Sequence, residues 1–382
     1  MGIQEIIARI ISSMKTFRTQ MNVRFVDREI ETKRIIDDSE KTIFGGMINI
    51  LYGPKGCGKT TFFKALKFAS ESQDVNIDVL YISREYEETP ELVKLYTPKR
   101  FNQILKEIAS AIGGSVEISY EGSYEGSGIV SASFALFRAV RTAVESIVKG
   151  VEGGRKIIIV VDEVRADSDE SLSKLRGWLE TFANDLGYMN LDYKNKTGGS
   201  ITVITLVSDA LIAEIRHIVG AKVAWPFMWN LSREAMKELA EELNLDIETD
   251  TLWRLTGGNP RALQTIAIYG LEKWFKEEIV KDLRDLYRDL LDIFRDRDVV
   301  WRELEQVLQN IDQSPASMLR SMLRRNIIIY IGAASSLSKI PVNEPWIMED
   351  FAYQMPAFYY TLKIMISRRS IDVALKDVLA NL

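Results

Sequence analysis

The sequence predicts an α/β protein: a parallel sheet sandwiched by helices, followed by a small helical lid and a C-terminal winged-helix-like domain. Three observations carry this. Short apolar runs alternate with helical patterns over residues 41–227. A glycine-rich turn joins the first apolar run to a helical one. After Trp225 the β signal stops, and amphipathic helices lead into a helix, turn, helix, strand pattern. A chain of 382 residues exceeds one ordinary core, so several domains are expected. The boundaries fall at 1–40 for an N-terminal helical segment with the box that follows it, 41–227 for the sheet domain, 228–280 for the lid and 281–382 for the winged-helix-like domain.

The runs 47–52, 79–82, 157–161, 201–207 and 222–225 are short and apolar, as strands buried on both faces of a parallel sheet are. Between the second and third lies an insertion whose Gly- and Ser-rich stretch 113–133 alternates Val116, Ile118 and Tyr120, which predicts a hairpin. In the lid, helices are expected at 232–243, 251–256 and 260–275. Gly257 and Gly258 suit a left-handed helix end, Asn259 a cap, and Pro260 a first turn that has no use for its missing amide. The charged stretch 281–298 reads as a linking helix. Helices at 299–308 and 314–325, a strand at 327–331, a loop at 332–344 and a second strand at 346–348 complete the outline.

Hydrophobic residues make up 46% and charged residues 27%, the balance of a globular protein rather than a disordered one. No apolar run approaches the roughly 18–20 residues of a membrane span. The helical pattern of residues 1–17 is interrupted by Glu5 and Arg9 and lacks a signal-peptide core, so a cytoplasmic chain without membrane partners is expected. One cysteine, Cys57, permits no internal disulfide, and one histidine, His217, leaves little for a zinc site. The net charge of −5 denies the molecule an overall basic field, so any nucleic-acid contact has to be local.

The chemistry concentrates in Gly53, Pro54, Lys55, Gly56, Cys57, Gly58, Lys59, Thr60 and the following Thr61. This phosphate-loop pattern follows a β run and opens a helical one, as the motif requires. Its glycines let backbone amides face phosphate oxygens, and the helix N-terminus adds partial positive charge. Lys59 is expected to reach the β and γ phosphates of ATP, or the β phosphate of ADP, and the Thr60 hydroxyl to ligate Mg2+. A second apolar run ends in Asp162 and Glu163, placed to hold the magnesium shell and to deprotonate an attacking water. Ser208, just past the run 201–207, reads either as a contact to the γ phosphate or the water, or as a plain turn serine. Arg261 opens a helix directly after Pro260, where a cation opposes the helix dipole and so points to an external anion.

Together these residues resemble the archaeal ATPase and STAND branch of AAA-like P-loop ATPases, related to archaeal origin-recognition initiators. Upstream, Phe25-Val26-Asp27-Arg28-Glu29-Ile30-Glu31 is similar to that family's Phe-x-x-Arg-Glu-x-Glu box. The resemblance covers about residues 24–269. It implies that Phe25, Val26 and Arg28 line the adenine pocket, that a lid closes over magnesium and nucleotide, and that the chain self-associates. It also implies an archaeal source. Arg216 is the candidate for an arginine acting on a neighbour's nucleotide, with a solvated helix face as the alternative. The segment Leu206-Val207-Ser208-Asp209 departs from the family's usual strand-tip pattern, which loosens the assignment of Ser208.

Cys57 reads as a small residue in a variable motif position rather than a redox switch, and His217 as a surface histidine. In the C-terminal domain, Arg320, Arg324 and Arg325 share one face of a helix suited to a major groove, with Lys339 in the following loop. Double-stranded DNA and a docked protein are both open as partners. Two functions follow: an ATP-hydrolysing switch that moves the C-terminal module, or an ATP-regulated DNA-binding protein of initiator or regulator type.

Overall fold

A computed structural model describes residues 2–382 except 42–47, 74, 86–91, 97–100, 102–103, 105, 109, 111–115, 120–131, 151–153, 165–168, 208–222 and 333–334. Two compact units emerge. One comprises Met1–Phe17, Arg28–Tyr52 and Lys59–Pro226; the other comprises Arg18–Asp27, Gly53–Gly58 and Phe227–Leu382.

The first unit is built on a sheet whose described strands are β1 (Ile48–Leu51), β2 (Ile77–Glu85), β3 (Leu92–Tyr96), β4 (Val116–Ser119), β5 (Lys156–Val164), β6 (Ser200–Val207) and β7 (Val223–Ala224). They lie in the order β4-β3-β2-β5-β6-β1-β7. The five expected strands form the parallel part, β2-β5-β6-β1-β7. Ile157 to Val161 in β5 are all at most 1% exposed, as a β-branched run covered on both faces should be. At the start of these strands the carboxylate of Asp78, fully buried, receives Arg155 through two nitrogens at 2.7 and 3.3 Å. The insertion departs from expectation. Val116–Ser119 is a strand, but its described neighbour is β3, in parallel, and β3 joins β2 antiparallel; the expected hairpin partner beyond Ser119 falls outside the described residues.

Helices flank the sheet. They are α1 (Ile3–Met14), α2 (Glu29–Lys41), α3 (Lys59–Ser72), α4 (Ala132–Gly150) and α5 (Asp169–Thr197). α3 buries Phe62, Phe63, Ala65, Leu66 and Ala69, and its two phenylalanine rings meet edge to face at 4.9 Å.

The second unit holds α6 (Arg233–Glu242), α7 (Thr249–Thr256), α8 (Pro260–Tyr269), α9 (Leu271–Trp274), α10 (Lys281–Phe294), α11 (Arg297–Gln309), α12 (Ala316–Arg324), α13 (Pro356–Arg368) and α14 (Leu375–Leu379). The punctuation at 257–260 is as read from sequence: Gly257 ends α7 at φ 57, the Asn259 side chain accepts the Ala262 amide, and Pro260 opens α8. The expected helix 260–275 instead breaks at Gly270, whose φ of 84° few other residues adopt. A π-helical turn, Phe275–Val280, then runs directly into α10 and buries Phe275, Ile279 and Val280.

The C-terminal strands also differ from expectation. Ile328–Tyr330 (β8) pairs antiparallel with Phe351–Tyr353 (β9), not with 346–348. The reason lies in Asp312, whose carboxylate accepts the amides of Glu349, Asp350 and Phe351 at 3.1 to 3.2 Å and shapes a turn there. Trp346, 1% exposed, spends its apolar surface instead on ring contacts with Trp253 and Tyr360. Among the described residues no helix is long and apolar enough to cross a membrane.

Candidate functional site

Sheet order sets the stage. β1, β6 and β5 are adjacent, with Leu51 level with Leu206, and Thr205 level with Val161. The C-terminal ends of parallel strands, where α/β sheets bind ligands, therefore bring Leu51, Leu206 and Asp162 to one edge of the sheet. Lys59 and Thr60 open α3, which has no acidic residue in its first turn, and the amides of a helix's first turn point along its axis toward an incoming anion. The Thr60 hydroxyl donates to Oδ2 of Asp162 at 2.7 Å. Asp162 is 6% exposed. Glu163 is the next residue of β5, and its side chain lies outside the described ones, as do Ser208, Arg216 and His217.

A residue not anticipated from sequence joins this carboxylate. The Tyr81 hydroxyl also donates to Oδ2 of Asp162, and Tyr81 is 2% exposed. In the β2–β5 register Tyr81 lies level with Val160 and Ser83 with Asp162, so Tyr81 and Asp162 are diagonal neighbours on one face of adjacent strands. The sequence shows Tyr81 only as one more β-prone residue of the run 79–82; its role depends on which strand β2 pairs with.

The loop itself is described within the second unit. A Cβ on Gly53 would lie 1.9 Å from the Met228 carbonyl oxygen, and one on Gly56, at φ +85, would lie 2.5 Å from the Arg261 Cβ. No larger side chain fits either place without moving main chain. The Cys57 amide donates to the Pro54 carbonyl at 3.0 Å, and the Cys57 side chain is fully buried. Arg261 lies against the loop through its main chain: its amide donates to the Gly56 carbonyl at 3.3 Å, and its side chain is exposed. Asn259 combines two tasks, capping α8 and donating to the Lys55 carbonyl at 2.9 Å. The Lys55 amide donates to Gln354 at 2.8 Å, a partner 299 residues away that no local pattern singles out.

Phe25 and Val26 are buried, at 8% and 7% exposure. Asp27 and Arg28 both hold positive φ, 62° and 76°, a strained pairing for residues with side chains that is sustained only where the surroundings enforce it. Arg28 is 2% exposed and forms an ion pair with Glu31 at 2.8 Å. This pair is the internal logic of the box: burying either charge alone is strongly unfavourable, and together they are tolerable. Preceding the box, Arg24 donates to Glu242 of α6 from its Nε at 2.6 Å, and this bond holds the Glu242 carboxyl below its usual range.

Of the three C-terminal arginines, Arg320 and Arg324 are exposed. Arg325 is not presented with them. Its guanidinium is drawn to Asp289, at 2.6 and 2.7 Å, and to Asp285 at 3.6 Å on α10.

The donor set fits a magnesium nucleotide: glycines that keep main chain bare, a helix opening on a lysine and a threonine, and a buried carboxylate already bonded to that threonine. Among solved structures the chain is similar to the replication initiator DnaA bound to AMPPCP and single-stranded DNA, at 14% identity over 76% of this chain and 83% of that one, with a TM-score of 0.30. It is also similar to AMPPCP-bound DnaA from Aquifex aeolicus, at 12% identity over 79% and 91%, with a TM-score of 0.29. No curated protein matches. A family model described as an ATPase domain predominantly from Archaea matches residues 25–266, well over half of the chain. The chain belongs to that family, and is an ATP-binding P-loop ATPase.

Proposed function

We propose that the protein is a magnesium-dependent, ATP-hydrolysing molecular switch whose nucleotide state is passed to its C-terminal module. The observation that carries the reading is the Thr60–Asp162 pair at 2.7 Å, a hydroxyl and a carboxylate joined at the C-terminal edge of the sheet. Such a pair offers a magnesium ion two oxygen ligands. In this reading Lys59 binds the β and γ phosphates, Gly53 to Thr61 cradle them, and Arg261 next to Pro260 neutralises phosphate charge. Phe25, Val26 and Arg28 form the adenine side. When bound, magnesium stabilises charge on the transferring phosphoryl group. Glu163 takes the proton of the attacking water as its oxygen bonds to the γ phosphorus, and the bond to ADP breaks. Ser208 senses the γ phosphate, and Arg216 serves a neighbouring copy if the chain self-associates.

Calorimetry and phosphate release test this together. Lys59→Ala should take up no ATP. Glu163→Gln should bind ATP with near wild-type affinity and hydrolyse it at least about 100-fold more slowly; equal turnover in wild type and Glu163→Gln removes Glu163 as the base.

The exposed Arg320 and Arg324 on α12 support a second reading, an ATP-regulated DNA-binding protein in which α11 and α12 with β8 and β9 act as a winged helix. Duplex binding that weakens with salt and is lost in Arg320→Ala/Arg324→Ala supports it. No duplex binding at low salt leaves the C-terminal module as a protein-docking element.

A further inference from the structure

One residue of the phosphate loop is held at both its amide and its carbonyl by buried carboxamides. The Lys55 amide donates to Oε1 of Gln354 at 2.8 Å, and its carbonyl accepts from Nδ2 of Asn259 at 2.9 Å. Gln354 and Asn259 are each 2% exposed and Asn230 is 3% exposed. The ring closes through them. Asn259 Nδ2 also donates to Oδ1 of Asn230 at 3.0 Å, and Asn230 Nδ2 donates to the Gln354 carbonyl at 3.0 Å.

Gln354 occupies the joint between β9 and α13. Its Nε2 donates to the Ile328 carbonyl at 3.2 Å, and its amide to the Ile327 carbonyl at 3.0 Å. Thus the side chain that grips the loop is itself positioned by the two C-terminal strands. A neutral carboxamide suits this task, since it donates and accepts at once and brings no charge into the buried space. If the strands separate, Lys55 loses its acceptor; if the loop moves, Gln354 loses its donor.

We propose that Gln354 is a positioning residue for the nucleotide site: it fixes the Lys55 peptide, and through it the order of the β8–β9 pair and the affinity of the phosphate loop for nucleotide are coupled. The proposal rests on the nucleotide-binding reading above. It is more specific than that reading, because it names the contact through which the C-terminal module senses the loop. Coupling of this kind is reciprocal, so nucleotide must tighten the strands by the same factor that the strands tighten nucleotide binding.

Hydrogen exchange on the full chain tests both directions. In the wild type, a non-hydrolysable ATP analogue with magnesium should slow exchange at the loop and also at 327–330 and 351–354. Gln354→Met keeps side-chain length and removes the bonds to Lys55 and Ile328. It should speed loop exchange without nucleotide and weaken the analogue about 5- to 150-fold, the range that follows from leaving the Lys55 donor without its partner. The exchange response at 327–330 should disappear with it. Slowing confined to the loop in the wild type overturns the proposal, and so does wild-type affinity with unchanged loop exchange in Gln354→Met. Should Gln354→Met fail to fold, the wild-type exchange pattern alone decides. A wild type that takes up no purine triphosphate at all sinks the nucleotide reading, and the coupling with it, whereas uptake without a strand response sinks the coupling alone.

Discussion

Two polar networks, one in each compact unit, hold different parts of the phosphate motif by different physics. In the sheet unit, Thr60 and Tyr81 both donate to one carboxylate oxygen of Asp162. In the other unit, three neutral carboxamides, Asn230, Asn259 and Gln354, gather at the main chain of Lys55. The charged network gathers two hydroxyls on one buried carboxylate, which the reading proposed above makes a magnesium ligand. The neutral one fixes main-chain geometry, and its loss leaves buried groups unpaired. The lesson is that a carboxylate proposed to hold a metal and a structural clamp look alike as hydrogen-bond lists. They differ in what their removal should change: metal response for one, stability and loop order for the other.

The strongest way to break that contrast is Asn259→Ala. It removes a helix cap and the bonds to the Lys55 carbonyl and the Asn230 side chain, so urea denaturation should show a loss of about 2–4 kcal/mol. A loss below about 0.5 kcal/mol would mean the neutral network is not structural. Tyr81→Phe should have the opposite profile. Stability should fall by about 1 kcal/mol or less, while the magnesium concentration that gives half the ATP-dependent rise in Tm should shift about 3- to 10-fold. An unchanged magnesium response would make Tyr81 ordinary packing.

The smallest effect sharpens the picture around the loop. Burial is the main influence on Asp282 and raises its pKa above the ordinary aspartate value, with Lys55 and then Arg325 opposing. The folded state therefore holds that proton more tightly than the unfolded one, and stability falls as pH rises from the ordinary aspartate value through the raised one. Asp282→Asn escapes this penalty. Its advantage over wild type in urea midpoint should be larger at pH 7 than at pH 4, and an advantage independent of pH would contradict the sign.

Much of this was legible in local sequence. The five parallel strands were visible as apolar runs because strands covered on both faces must be apolar throughout. Gly53 to Thr60 announced a phosphate loop because bare main chain at that spacing has few other uses, and the end of α7 and start of α8 were readable since capping is decided by neighbours in the chain. The break at Gly270 was missed because an apolar pattern continues across it, and α13 because a helix buried on most sides shows little periodicity. The second C-terminal strand was misplaced because the turn before it is shaped by Asp312, 37 to 39 residues upstream.

The sequence by itself determined the chemistry on offer: a glycine loop, a lysine, a threonine, and a carboxylate at a strand end, all specified by short-range patterns. Only the tertiary structure decided which distant side chains attend them. Tyr81 reaches Asp162 because of strand register, Gln354 reaches Lys55 across 299 residues, and Arg325 leaves its exposed neighbours for Asp285 and Asp289. Hydrogen bonds between residues far apart in the chain leave no period or spacing in it, because their geometry exists only after the backbone has closed.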